Sequence, residues 1–243
     1  MFVSGRVANA IRIGVLIAVW PFLSGIGKAD KFRVGIYDLK QHDISMHWKN
    51  AEGKPYITLA AVKKKLEAEG KTVLGLTNAG IYGKDYAPLG WFVQNGKVLR
   101  RVNKSRGGGN FFLKPNGIFY IDKNGARVVR TRKLNRNIKA LWATQSGPLL
   151  FDQSGIHPRF RKSSKSKYVR NAVGVRHDGK IVFVISKVPV TFWEIAQYMK
   201  TKLKCKSALY LDGSISQMWR AGEKVPVPFA PFVGIIAVTK KKS

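Results

Sequence analysis

Apolar and polar positions alternate from Phe32 to Asp38, and a weaker alternation from Ile44 to Trp48 predicts a second strand. Thr72 to Thr77 is a third candidate. Leu89–Gln94 and Lys97–Val102 flank Asn95-Gly96, Gly117–Asp122 and Ala126–Arg130 flank Asn124-Gly125, and Asn171–Arg176 and Lys180–Ser186 flank Asp178-Gly179. Such dipeptides tolerate the positive φ that tight hairpin turns require, so each pair reads as a hairpin. Helical spacing occurs twice. Thr58 can cap a helix running to about Glu69, where Gly70 ends it, with Lys63, Lys64, Lys65, Glu67 and Glu69 on the wet face. Thr191 and Glu194 form an S/T-x-x-E capping box, and Ile195, Tyr198, Met199 and Leu203 continue the periodicity toward the apolar run ALYLD that ends at Asp212. That succession reads as strand, helix, strand. Phe232 to Thr239 is a further buried strand. Strands outnumber helices, which gives an α+β class: a single domain built on a mixed, mainly antiparallel sheet with a few packed helices.

The N-terminus follows a different rule. Arg6 and Arg12 precede an uncharged apolar stretch from Ile13 to Gly27, and Lys28 closes it. Gly27 and Ala29 before Asp30 fit a signal-peptidase site, and the run is shorter than the ~20 residues of a spanning helix. Residues 1–29 therefore read as a signal peptide and residues 30–243 as an exported domain, periplasmic or secreted, with no stable transmembrane segment after cleavage. An uncleaved anchor is the competing reading. The chain of 243 residues carries 44 Lys and Arg against 13 Asp and Glu, a formal charge of +31. Such a surplus calls for an anionic partner, with nucleic acid, phosphate-bearing glycan and anionic lipid all open. Cys205 is the sole cysteine, which excludes an internal disulfide. Arg101 to Asn110, with Gly107, Gly108 and Gly109, is the candidate mobile loop.

The chemistry narrows by elimination. The chain lacks H-E-x-x-H, G-x-S-x-G, C-x-x-C and the P-loop pattern. His42 and His47 are five apart, which places them on opposite faces of a strand and disfavours a shared metal. Most carboxylates sit in helix faces, caps or turns. Asp212, Asp85, Asp38 and Asp43 remain, and among them Asp212 stands out: an apolar strand delivers it and Gly213 follows. A carboxylate at such a strand end is costly unless paired or used, although it can also cap the next turn through the amides of Ser214 or Ser216. Three further strand-edge polar groups, at Asn78, Gln145 and Arg170, complete a pocket rim with it. Gln145-Ser146-Gly147 can equally be a bulge or turn, and Arg170-Asn171 a solvated rim.

The ordered series TNAGIY, ATQSGPLL, RNAVGVR and ALYLDGSIS resembles the phosphodiester glycosidase family, over roughly Val73 to Val238. The resemblance implies hydrolysis of a sugar 1-phosphodiester and a phosphate-bearing carbohydrate partner. On the positions that match the motifs, residue chemistry assigns Asp212 and Arg170 as catalytic residues, with Asn78, Gly80, Gln145, Ser146, Gly147, Asn171, Gly213 and Ser214 binding substrate. Arg170 would bind phosphate through a forked pair of hydrogen bonds, and Asp212 would activate water or stabilise the oxocarbenium-like centre. The family's animal enzyme continues after the aspartate with a run of glycines, whereas Ser214 and Ile215 follow here, a turn that offers fewer amides to a phosphate. No cofactor is predicted, no metal-ligand set can be read, a divalent metal stays open, and the oligomeric state is not encoded in any visible pattern. The alternative is a noncatalytic binder of anionic glycan or nucleic acid, carried by Arg159, Arg161, Lys162, Lys165, Lys167 and Arg170 with Phe160 and Tyr168 interleaved. Export places nucleic acid behind glycan.

Overall fold

A computed structural model of the chain describes residues 1, 30–135, 137–213, 215–227 and 230–242. The leader expected over residues 1–29 and the site position Ser214 thus fall outside the described residues, Met1 apart. In chain order the elements are β1 (Phe32–Tyr37), β2 (His42–His47), α1 (Leu59–Ala68), β3 (Val73–Asn78), β4 (Phe92–Gln94), β5 (Lys97–Arg100), β6 (Gly117–Asp122), β7 (Gly125–Arg130), β8 (Trp142–Ser146), β9 (Leu149–Asp152), β10 (Gly155–Ile156), β11 (Asn171–Arg176), β12 (Ile181–Ser186), α2 (Phe192–Gln197), β13 (Cys205–Asp212), β14 (Met218–Arg220) and β15 (Ile235–Lys240). They form three sheets: β1-β12-β11-β13-β9-β10, β14-β3-β15-β2 and β5-β4-β8-β6-β7. The class is α+β, dominated by antiparallel sheet. The strand–helix–strand unit takes a particular form within it. Both β12 and β13 pair antiparallel with β11, so they run parallel to one another with β11 between them.

Turn chemistry accounts for the hairpins. Asn95 and Gly96 both hold positive φ, 48° and 75°, the conformation that Asn-Gly supplies at low cost. Thr58 Oγ1 accepts from the Ala61 amide to start α1, and Gly70 at φ 70° ends it. The capping box of α2 forms in both directions: Glu194 N donates to Thr191 Oγ1 at 3.1 Å, and Thr191 N to Glu194 Oε2 at 2.8 Å. The helix predicted to reach Leu203 instead stops at Gln197 and widens into a π-helical turn, Tyr198–Lys202. Thr201 Oγ1 donates to the Gln197 carbonyl at 2.8 Å and competes for that acceptor, while Leu203 N bonds the Tyr198 carbonyl five residues back.

Three layers of contact hold the sheets. Val173, Phe183 and Leu209 of the first sheet, Met46 and Ile236 of the second, and Phe92 and Phe119 of the third share one buried cluster. On the outer face of the first sheet, Ile195, Ala196 and Met199 pack against Ala172, Val184 and Ala208. Leu59, Val62 and Leu66 of α1 cover the second sheet at Leu76, Ile235 and Ala237. Each of the Val, Leu, Ile, Met and Phe side chains among these contributes on the order of 1.5–3 kcal/mol by leaving water. Cys205 is buried, and burial pushes its thiol up to about 12, so it is an unreactive core residue. Among the described residues no helix is long and apolar enough to cross a membrane.

His47 on β2 lies against Tyr56 and Trp142, its Nε2 within 2.8 Å of Ser45 Oγ. Burial first, then the charges of Lys65 and Lys71, lower its pKa to about 3 from the ordinary 6.5. Between those values the unfolded chain binds a proton that the folded chain refuses. His47 therefore contributes stability that is complete above about pH 6.5 and is lost as the pH falls toward about 3. In urea titrations between about pH 6.5 and pH 4, His47→Gln should lose less stability on acidification than the wild type; equal slopes would rule out this role.

Candidate functional site

The end of β13 is shaped by a register change. Ala172 faces Tyr210 while Asn171 faces Asp212, so Leu211 is an extra residue on β13, a β-bulge just before the carboxylate. Such a bulge bends the strand and re-aims the side chains beyond it. Asn171 is buried at the start of β11, and its carboxamide links two sheets. Its Oδ1 accepts from the Asp212 amide at 2.8 Å and from Ser216 Oγ at 3.2 Å. Its Nδ2 donates to Asn78 Oδ1 at 3.0 Å, with Thr77 Oγ1 and the Asn78 carbonyl close by. Asn78 Oδ1 also accepts from the Gln217 amide at 3.0 Å. Asn78, Asn171 and Asp212 therefore form one hydrogen-bonded line from β3 through β11 to β13.

Two of the loop bonds lie at Asp212 itself. Ser216 Oγ donates to the Asp212 carbonyl at 2.6 Å, and the Gly213 amide donates to Asp212 Oδ1 at 2.6 Å. The turn-capping role foreseen for Asp212 is thus filled by Gly213 N. Gly213 admits no side chain, because a Cβ there would overlap the Tyr210 hydroxyl. Burial, and then the charge of Asp212, raise the Tyr210 pKa against the opposing pull of Arg170, so the phenol stays protonated. Arg170 lies beside the same residue, its guanidinium carbon 5.6 Å from the centre of the Tyr210 ring.

Arg170 is 1% exposed and lies with its guanidinium carbon 3.6 Å from the centre of the Phe192 ring. Its Nε donates to the Val190 carbonyl at 2.9 Å and Nη2 to the Ser166 carbonyl at 3.2 Å. The fork imagined for a phosphate is spent on backbone. What Arg170 delivers to the site is a buried positive charge behind Tyr210.

The remaining predicted positions divide. Ser146, fully buried, donates through Oγ to the Leu211 carbonyl at 2.8 Å and accepts from the Ile81 amide at 3.3 Å, which ties β8 to the bulge. Gly80 sits where a Cβ would lie 2.5 Å from the Gln145 carbonyl, and its amide donates to Thr144 Oγ1. Gly147 is packed as closely, against the Phe111 carbonyl and Asn116. Gln145 points elsewhere: Oε1 accepts from the Trp91 and Asn103 amides at 2.9 Å each, and Nε2 donates to the Asn103 carbonyl at 2.6 Å. It pins the start of the loop expected to be mobile. Residues that sequence reasoning passed over are Thr77, Tyr210 and Gln217, with Tyr82, whose pKa is raised by burial and then by the Asp212 charge. Tyr210 had one visible signal, a phenol inside an otherwise aliphatic strand. Among the described residues no three His, Cys, Asp or Glu side chains gather as a metal-ligand set.

Four sequence motifs thus meet around the bulge. Residues 71–232 match the family described as phosphodiester glycosidase. The chain is 36% identical over 198 residues to the uncharacterized protein YigE of Escherichia coli (strain K12), covering 82% of this chain and 78% of that one. Among solved structures, the zebrafish N-acetylglucosamine-1-phosphodiester alpha-N-acetylglucosaminidase catalytic domain auto-inhibited by its pro-peptide superposes with a TM-score of 0.58 at 15% identity, covering 89% of this chain and 85% of that one. A putative exported protein from Burkholderia pseudomallei gives a TM-score of 0.56 at 13% identity, over 86% and 73% of the two chains. These two likenesses concern the fold, and the family match spans about two thirds of the sequence: the chain belongs to the phosphodiester glycosidase family.

Proposed function

We propose that this protein is an exported hydrolase that cleaves the glycosidic bond of a sugar 1-phosphodiester, with Asp212 as its catalytic carboxylate. The observation that carries the reading is the Asn78–Asn171–Asp212 line in a chain of this family. It fixes the backbone of Asp212 at a bulge, while Ser216 and Gly213 fix the turn beyond. Preorganised hydrogen bonding of this kind holds a catalytic group without reorganisation during the reaction. Export is supported by Arg6, Arg12 and the apolar stretch after them, and by the exported relative of like fold.

In this reading water attacks the anomeric carbon and its oxygen forms the new bond there. The bond from that carbon to the phosphate oxygen breaks, and its electron pair leaves with the phosphate monoester. Asp212 takes the proton of the attacking water and later returns it to solvent. The leaving phosphate needs charge stabilisation more than a proton. The buried Arg170 charge supplies it at a distance through the Tyr210 phenol, in a setting where water screens little. Arg170 is then a positioning residue for Tyr210.

The direct test incubates the purified protein with methyl phosphodiesters of N-acetylglucosamine, glucose and mannose 1-phosphate. Release of free sugar is expected, with Asp212→Asn lowering kcat at least about a hundredfold at unchanged melting temperature. Binding of the same compounds without turnover, equal in wild type and variant, would replace catalysis with the noncatalytic reading. Gly213→Ala should displace the Tyr210 hydroxyl and lower the melting temperature, which Tyr210→Phe/Gly213→Ala should partly restore, because the second change removes the overlapped atom. No restoration in the double variant would show that the loss does not arise from that overlap. Asn171→Ala leaves the Asp212 amide without its acceptor and removes one of the two donors to Asn78 Oδ1, at a cost of roughly 2–4 kcal/mol in urea unfolding.

A further inference from the structure

The Asp212 site does not account for the charge of this chain. A cleft of about 940 Å³ lies at the opposite end of β13, where Cys205, Lys206 and Ser207 enter the first sheet. Eight residues of extended strand put its floor roughly 20 Å from Asp212. The cleft runs between the β6–β7 hairpin and the edge of the first sheet, with buried Ala126, Val128, Phe151 and Cys205 beneath it. Its rim is cationic. Lys40 comes from the β1–β2 turn, Arg127 from β7, Lys133 from the turn after it, Lys200 from the π-helical segment and Lys206 from β13.

All five cations are exposed, and none has a carboxylate partner among the described residues. Two of the three acids of the cleft are held in ion pairs with other cations, and the third, Asp38, keeps its charge. Asp152 is held by Arg130 through two bonds of 2.6 and 3.0 Å, Asp178 by Arg176 and Lys180, and Asp38 Oδ1 accepts from the Lys40 amide. Like charges brought together in a concave site repel one another and focus a positive field, which an anionic ligand relieves. Three separate stretches of chain, around residue 40, 127–133 and 200–206, converge on that arrangement, so it does not follow from the lysine-rich 200–206 run alone.

We propose that this cleft is a second site, which binds a phosphate-bearing glycan chain away from the Asp212 turn. The cations suit spaced phosphates, and the half-buried Leu39 and Val129 of the lining suit the C–H faces of sugar rings. Nucleic acid fits less well, because stacking platforms for bases are few: Phe151 is 1% exposed, and His177 is the one exposed aromatic ring among the lining residues. The cleft shares no residue with the Asp212 site, so this inference stands whether or not that site is catalytic.

The test measures binding of the full-length protein to a phosphorylated dextran, a glycan of sugar rings bearing spaced phosphates, and to an oligothymidylate of equal charge, across a salt series. The variant Lys40→Gln/Arg127→Gln/Lys133→Gln/Lys200→Gln/Lys206→Gln should bind the glycan at least about tenfold more weakly, with a shallower salt dependence. A control carrying Gln at Lys54, Lys64, Lys97, Lys187 and Lys224, all exposed and outside the cleft, removes the same charge and should change binding less than about threefold. Asp212→Asn should bind as the wild type does. Should the fivefold variant fail to fold, Lys133→Gln/Lys206→Gln should still weaken binding by about threefold. Equal losses in cleft and control variants would overturn the site, since total charge alone would then explain binding. Tighter binding of oligothymidylate than of the glycan would overturn the choice of partner.

Discussion

One carboxamide decides whether the candidate site exists. Asn171 accepts from the Asp212 backbone on one side and donates to Asn78 on the other, joining the first sheet to the second, which have no strand in common. All of these groups are buried or half-buried, so an unmade bond here forfeits the solvation of the group as well as the contact. A smaller side chain cannot span the gap, and a carboxylate lacks the donor that Asn78 requires. The bulge at Leu211 and the tight glycine at 213 act downstream of that join: they set the direction of a carboxylate whose backbone Asn171 has already located.

Local chemistry was readable and distant partnership was not. The Asn95-Gly96 hairpin, the Thr58 and Thr191 caps and the stop at Gly70 depend on residues within a few positions of each other, and they stand where the residue types put them. The π-helical turn depends on whether Thr201 bonds back to Gln197, a choice that periodicity does not register. The strand-edge residues illustrate the same limit at the site. Asn78, Ser146, Asn171 and Asp212 gather around the bulge, while the Gln145 amide is committed to Trp91 and Asn103 and the Arg170 fork to Val190 and Ser166. Nothing in the neighbouring letters distinguishes a polar side chain that faces a cleft from one that braces a loop. Each of those bonds spans from a few to dozens of positions along the chain.

The disposition of the acids explains why the positive surplus must face outward. Glu67, Glu69, Asp85, Asp152, Asp178, Glu194 and Glu223 are all in ion pairs, most of them exposed and individually worth little. With 44 cations and 13 acids, internal pairing cannot neutralise the molecule. Its folded state works against its own repulsion, and any bound polyanion is a source of stability as well as a ligand.

The line through Asn78, Asn171 and Asp212 joins residues 93 and 41 positions apart, and its outer contact from Gln217 to Asn78 spans 139. Contacts of that sequence separation close late, since the entropy of the intervening loops must be met before they return anything. The carboxylate is therefore assembled by the last stages of folding, and a chain still being threaded or half collapsed has no competent centre.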